Sequence, residues 1–298
     1  MKTNPIYRLA GAASCGLFLL LGACAEDKAP RTFCRFVPER SDDFAWENDK
    51  IAFRAYGPAL RDSTENGGVD CWLKRVNYPI IDKWYSKHVA GGTYHEDQGE
   101  GYDPYHVGAS LGCGGIGLWT GEGLVTTETF VDWRIISCEP LESVFELDYA
   151  WEHDGHQYTA TKRMRIGMGS RLFKTTATFR MDGEPAGGLP VAIGITTHDG
   201  VAEASANVEK GWMACWETID GSGLGTGVAM EPSRILEYKL LESETPDLSH
   251  ALFLAETDEA GQVSWWSGYG WERAGEIDSF QAWQDYLDGF VAVGLSGN

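Results

Sequence analysis

Alternation of apolar and polar residues with a period of two restricts this chain more than any other feature. Phe145, Leu147, Tyr149 and Trp151 alternate with Glu146, Asp148 and Glu152, and Phe173, Thr175, Ala177 and Phe179 alternate with Lys174, Thr176, Thr178 and Arg180. Successive side chains of a strand point to opposite faces, so such a run buries one face and wets the other. Val191, Ile193 and Ile195 share one face in the same way, as do Trp212, Ala214 and Trp216. Between the runs stand Asp154-Gly155, Asp182-Gly183, Gly187-Gly188 and Asp220-Gly221, residue types that adopt the positive φ of tight hairpins. The pattern predicts an all-β fold, an antiparallel β-sandwich. Helical periodicity is expected once, in a short C-terminal helix where Phe280, Trp283, Leu287 and Phe290 share a face. There Asp278 and Gln281 suit a capping box. The stretch from Arg75 to Gly123 has little period and reads as a long irregular segment, the kind that carries function.

The N-terminal residues have the layout of an export signal. Lys2 and Arg8 precede an apolar run that is too short to span a bilayer and ends in Leu21-Gly22-Ala23-Cys24. That ending resembles a lipobox, in which Cys24 is lipidated and becomes the new N-terminus. The expected organisation is a lipoprotein signal peptide over 1–23, a tether over 24–33 and a single β-sandwich domain over 34–298. Ala25, where Asp would favour inner-membrane retention, points to an outer-membrane lipoprotein on its periplasmic or cell-surface face. Net charge is −20, and losing Lys2 and Arg8 makes it two units more negative. Such a field repels nucleic acid and anionic lipid, so the membrane is expected as a partner only through the anchor. With Cys15 removed and Cys24 lipidated, Cys34, Cys71, Cys113, Cys138 and Cys215 remain, an odd set that allows at most two disulfides. No CxxC or Cys/His spacing suggests zinc.

The densest polar constellation runs from Tyr94 to Gly108. It contains His95, His106, Glu96, Asp97, Glu100, Asp103 and three tyrosines, with Gly99 and Gly101 available for tight turns. Histidine exchanges protons near neutral pH, so His95 and His106 are candidate acid–base residues, with Tyr105 and Glu100 beside them. Asp97, Glu100 and Asp103 also supply hard oxygens, and a divalent cation is a possible cofactor although none is required. A solvated acidic loop with aromatic anchors fits the same spacing. Lys74 and Arg75 stand beside Trp72, Tyr78 and Trp84 in a chain short of positive charge, a combination suited to a carboxylated sugar. Trp46, Glu47 and Asn48 open the domain, and His198 ends the strand that begins at Val191. Twelve Trp and twelve Tyr supply flat faces for sugar rings, or simply fill a β core. There is no GxSxG elbow, P-loop, HExxH or dinucleotide fingerprint, so hydride and phosphoryl transfer are not expected.

Four blocks carry a resemblance to a known family. Phe44 to Leu60 (Phe-Ala-Trp-Glu-Asn-Asp-Lys-Ile-Ala-Phe-Arg-Ala-Tyr-Gly-Pro-Ala-Leu) resembles the N-terminal signature of the bacterial domain of unknown function DUF4861. The Tyr94–Gly108 segment with Gly112-Cys113-Gly114-Gly115, then Trp212 to Glu217, then Gly268-Tyr269-Gly270-Trp271, are similar to its later blocks in order. Gln98 departs from a common histidine and His106 from a common lysine. The resemblance implies a galactose-mutarotase-like supersandwich and a place in polysaccharide degradation. It further implies β-elimination on uronic-acid-containing oligosaccharides, by a dehydratase or a lyase. Elimination needs a cation on the carboxylate, a base for the C5 proton and an acid for the leaving oxygen. Lys74 and Arg75 are the expected cations. His95, Tyr105, His106 and Glu100 are the expected catalytic residues, with Trp46, Glu47, Asn48, Trp84, Asp103, His198 and Trp271 as further substrate contacts. Two alternatives stay open: a glycoside hydrolase using a carboxylate pair such as Glu47 and Glu100, and a surface glycan-binding lipoprotein without catalysis.

Overall fold

The computed structural model describes residues 28–293 other than 122, together with 295. The signal peptide, Cys24 and the start of the tether lie outside the described residues. The first sheet is formed by β1 (Phe33–Val37), β2 (Asp43–Glu47), β3 (Ala52–Ala55), β4 (Val69–Lys74) and β5 (Gly101–Tyr102), all neighbours antiparallel. A nine-stranded antiparallel sheet spans from Glu203–Asn207 at one edge to Phe130–Cys138 at the other. A third, five-stranded sheet has Pro190–Thr196 at its centre, paired with Cys113–Thr120 and His250–Glu256. The chain is thus an antiparallel β-sandwich, as the alternation predicts. The Asp-Gly turns explain its hairpins: φ is 49° and 77° at Asp154 and Gly155, 53° and 89° at Asp182 and Gly183, and 50° and 73° at Asp220 and Gly221. Two consecutive left-handed residues match the twist of the flanking strands.

The alternating runs meet in an aromatic core. Trp46 of β2 and Phe53 of β3 stack at 5.6 Å between centroids, and both rings lie on Phe173, at 5.3 and 4.8 Å. Phe44 stacks on Phe145 at 4.5 Å. Trp46 and Trp271 are fully buried here, which corrects their expected role as sugar contacts: both are core residues that a ligand cannot reach. The C-terminal helix, Phe280–Ala292, closes the outer face of the large sheet with Trp283 and Leu287. Its cap is Ser279, whose Oγ accepts from Ala282 N at 3.2 Å, while Gln281 turns outward to Asp285. The expected Asp278–Gln281 box is therefore absent.

The Arg75–Gly123 stretch contains a helix that its sequence conceals, α1 (Ile81–Val89). Ile81, Trp84 and Tyr85 bury one face over Trp72. The orphan N–H groups at its start are met from far away in sequence: Glu47 accepts from Ile80 N at 2.9 Å and from Ile81 N at 3.0 Å. A cap delivered by a strand more than thirty residues upstream leaves no local signature.

One buried charge works against stability. Lys162 faces inward from the strand His156–Gly167, with its Nζ 3.8 Å from the Tyr149 ring centre and 3.4 Å from Thr127 Oγ1. Among the described residues no carboxylate pairs with it, and burial lowers its pKa to about 7. A base depressed in the fold is penalised wherever the unfolded chain holds the proton, so the cost is full below neutral pH and fades towards the ordinary lysine range. Lys162→Met is expected to raise unfolding free energy by about 3 kcal/mol in acid, with the gain vanishing near pH ~10. Urea midpoints across that range check it; a destabilised or pH-independent variant would contradict it.

Candidate active site

A cleft of about 310 Å³ opens where β2 and β3 meet the Tyr94–Gly108 segment, and Arg40, Arg54, Glu65, His95, Asp103 and His106 line it. Arg40 is presented by the β1–β2 hairpin, in which Ser41 and Asp42 hold φ of 53° and 57°. Gly57 lets the next turn pass directly against the Asp42 carbonyl, where a Cβ would collide. Arg40 donates to Tyr94 Oη at 3.2 Å and Ser41 Oγ at 2.7 Å, both hydroxyls, and among the described residues no carboxylate contacts it. Arg54 projects from β3 and is 3% exposed. It donates to Asp70 Oδ2 at 2.6 and 3.0 Å and lies 3.5 Å from both Asp43 and Asp103.

Three carboxylates share that one guanidinium. Burial raises all three pKa values, Asp43 to about 6 and Asp70 and Asp103 also upward, with Arg54 opposing in each case. The cluster therefore holds its protons to higher pH than exposed carboxylates do. Asp103 also reaches the surface through His95, whose Nδ1 lies 2.9 Å from the Asp103 carbonyl and 3.5 Å from its carboxylate. A carbonyl only accepts, so Nδ1 carries the proton, and Nε2 is the basic nitrogen of the neutral ring. The His95 side chain is 55% exposed and lines the cleft.

His106 is held differently. Its Nε2 lies 2.9 Å from Asp247 Oδ1, and Asp247 N donates to Asp199. Gly108, at φ 52°, brings the backbone against the Asp247 carboxylate, leaving no room for a Cβ. Behind this loop His198 Nδ1 meets Glu217 Oε2 at 2.7 Å and His198 Nε2 meets the His106 carbonyl at 2.6 Å. Both partners accept, so both ring nitrogens donate and His198 is an imidazolium. Burial opposes that charge, but Glu217 outweighs it and the pKa rises. His198 is thus a strut for the His106 loop rather than a cleft residue. A raised histidine stabilises the fold fully below the ordinary histidine pKa and loses that contribution as pH climbs through its folded value. Unfolding free energy is expected to fall by about 1 kcal/mol between pH ~6 and pH ~9 in the wild type and to stay flatter in His198→Gln. Equal slopes in chemical denaturation would refute it.

Several expected contacts lie elsewhere. Lys74 is fully buried and uses its ammonium on Glu47 Oε2 (2.6 Å), Asn48 O (2.8 Å) and Tyr78 O (2.9 Å), so it has no donor for a substrate. Glu47, buried with it, caps α1 and cannot serve as a hydrolytic carboxylate. Asn48 spends its amide on Gly167 O and Ser170 O. Arg75 pairs with Asp97 at 2.9 Å, away from the cleft. Glu100 accepts from Tyr78 Oη at 2.6 Å and from Lys83 at 2.8 Å, beside Trp84 and Gln98 in a separate cavity of about 170 Å³. Asp97, Glu100 and Asp103 each serve a different cation, and among the described residues no three His, Cys, Asp or Glu side chains gather as a metal set. Tyr105 touches the cleft, but its hydroxyl is buried without a hydrogen-bond partner among the described residues, and burial pushes its pKa well up. It is neither base nor accessible acid. The residues missed by sequence reasoning are Arg40, Arg54, Glu65, Asp247 and Glu217. Only Arg54 left a signal, as the single charge inside the apolar run Ile51–Tyr56.

Fold and cleft together define an antiparallel β-sandwich protein with a histidine- and arginine-lined surface site. The chain belongs to the family of the domain of unknown function DUF4861, whose model matches residues 23–293. The uncharacterized protein P7 of Formosa agariphila is 31% identical over 280 residues, covering 90% of this chain and 69% of P7. Among solved structures, the α-galactosidase of Lactobacillus brevis overlays with a TM-score of 0.39 at 9% identity, over 85% of this chain and 42% of that enzyme. The α-galactosidase AgaB of Geobacillus stearothermophilus gives 0.31 at 11% identity, over 80% and 37%. The chain thus spans about two-fifths of these enzymes, and likeness of that degree assigns neither substrate nor reaction.

Proposed function

We propose that this protein is a carbohydrate-active enzyme that performs β-elimination on uronic-acid-containing oligosaccharides, as a dehydratase or lyase. The observation that carries the reading is the meeting of two histidines, His95 and His106, with two guanidiniums, Arg40 and Arg54, on one cleft. In this scheme Arg40, which donates only to hydroxyls among the described residues, takes the sugar carboxylate that Lys74 and Arg75 cannot reach. Neutralising the carboxylate acidifies the C5 proton. His95 Nε2 accepts that proton, and the C5–H electrons form the C4=C5 double bond. The C4–O bond breaks, and His106 protonates the departing oxygen. Asp103 orients His95, and Asp247 orients His106. Lipidation at Cys24 would hold the enzyme at the outer membrane, where imported oligosaccharides arrive.

The direct test incubates the protein with uronate oligosaccharides from ulvan, alginate, pectin and glycosaminoglycans and follows the ultraviolet absorbance of the unsaturated product. Mass spectrometry separates loss of water from chain cleavage. Absence of the unsaturated product on every substrate would end the proposal; reducing ends without the double bond would mean hydrolysis instead.

A further inference from the structure

Two thiols meet at the seam between the first sheet and the large one. Cys34 lies in β1, an edge strand, and Cys138 ends the strand Phe130–Cys138, the edge of the nine-stranded sheet. Cys138 Sγ is 3.7 Å from the Cys34 carbonyl oxygen and 3.7 Å from Ser143 Oγ, so the two cysteines lie side by side across the seam. The seam is fixed on both sides: Thr32 N donates to Pro140 O at 2.9 Å, and Thr32 Oγ1 bonds Glu139 O at 2.6 Å and Ser143 Oγ at 2.8 Å. Cys34 is buried and Cys138 is exposed.

We propose that Cys34 and Cys138 form a redox-active pair that closes to a disulfide, stapling the two sheet edges together. The exposed partner is prepared for attack. The neighbouring Cys34 lowers the Cys138 pKa to about 5, while the Cys138 neighbour and burial push Cys34 upward. Cys138 is then the thiolate at neutral pH, and thiolates are the nucleophiles of disulfide exchange. The oxidant is a small-molecule disulfide. Cys138 thiolate attacks one of its sulfurs and releases one thiolate, leaving a mixed disulfide on the protein. Cys34 then gives up its proton and attacks Cys138 Sγ, releasing the second thiolate and forming the internal bond. The two cysteine thiols lose two electrons in all, and the oxidant becomes two thiols. The remaining cysteines, Cys71, Cys113 and Cys215, are buried in the core and shielded from the same oxidant.

The full chain, purified reduced, is equilibrated with a mixture of reduced and oxidised glutathione, alkylated, digested without reduction and mapped by mass spectrometry. The expected result is a Cys34–Cys138 cross-linked peptide and a Tm higher by roughly 5 °C, because the link closes a long loop. Cys34→Ser should stop at the first step, with glutathione retained on Cys138 and no rise in Tm. Two results overturn the proposal: Cys34 recovered as a free thiol in the oxidised wild type, or Cys138 linked to a different cysteine.

Discussion

Replacing Arg54 by methionine is expected to remove about 3–5 kcal/mol of stability, the largest loss of any single substitution considered for this domain. The guanidinium is almost fully buried and answers to three carboxylates, Asp43, Asp70 and Asp103, besides donating to Tyr94 Oη at 3.2 Å. It also lies over the rings of Tyr56, Trp72 and Tyr94, at 5.1 to 5.9 Å from their centres. Methionine would fill much of the space but leave three acids in an apolar interior with no cation. They would escape by binding protons, so their folded pKa values would climb further. An acid raised in the fold loses stability as pH increases from the ordinary carboxylate range through its folded pKa. The deficit of Arg54→Met should therefore be small near pH ~4 and full near pH ~8. Arg54→Lys keeps a charge and should recover part of the loss. Urea midpoints at the two pH values decide the matter: a deficit under about 1 kcal/mol, or one that ignores pH, means the cluster is not what holds the hairpins together.

His95→Ala is expected to lower kcat/KM on the proposed uronate substrate by about 10²–10⁴-fold while leaving Tm nearly unchanged. The ring is more than half exposed, meeting Asp103 on one side and the Tyr94 ring at 4.5 Å on another, so little packing is lost. Asp103 would keep its place through Arg54. Tyr105→Phe supplies the contrast, since it deletes a hydroxyl that is buried and unpartnered. Removing such a group costs nothing in hydrogen bonding and should leave both activity and stability near wild type. If Tyr105→Phe were as damaging as His95→Ala, the proton chemistry would have to be reassigned to the buried side of the loop. Steady-state rates at several pH values, with Tm measured on each variant, separate these outcomes.

How far the sequence reached can be followed residue by residue. The strands were legible because period-two alternation and Asp-Gly turns are local signals, and the structure places positive φ at those turns. The residues His95, Asp103 and His106 were legible as chemistry because polar, titratable side chains crowd one short segment. Their cations were not. Lys74 and Arg75 stood nearest in sequence to the aromatic residues, but a strand sends adjacent side chains to opposite faces. Lys74 points inward to Glu47, and Arg75 leaves the strand for Asp97. Arg40 reaches the cleft only because β1 and β2 carry its hairpin over the Tyr94 ring, a relation set by tertiary packing. The same reason hid α1, whose cap comes from β2.

The arrangement around Arg54 also governs what the cleft exchanges with its surroundings. Three acids near one guanidinium hold protons whose number depends on the local potential. A carboxylated sugar arriving at Arg40 would add a negative charge beside Asp103, and the cluster would answer by drawing a proton from solution. Binding and proton uptake would then be one event. Affinity should strengthen as the medium becomes more acidic within the range where Asp43 titrates. Calorimetric heats should shift with the ionisation enthalpy of the buffer, and heats that are the same in every buffer would show that the cluster stays silent. A protein built this way would sense the acidity of its compartment through the act of binding, with no histidine at the point of contact having to change state.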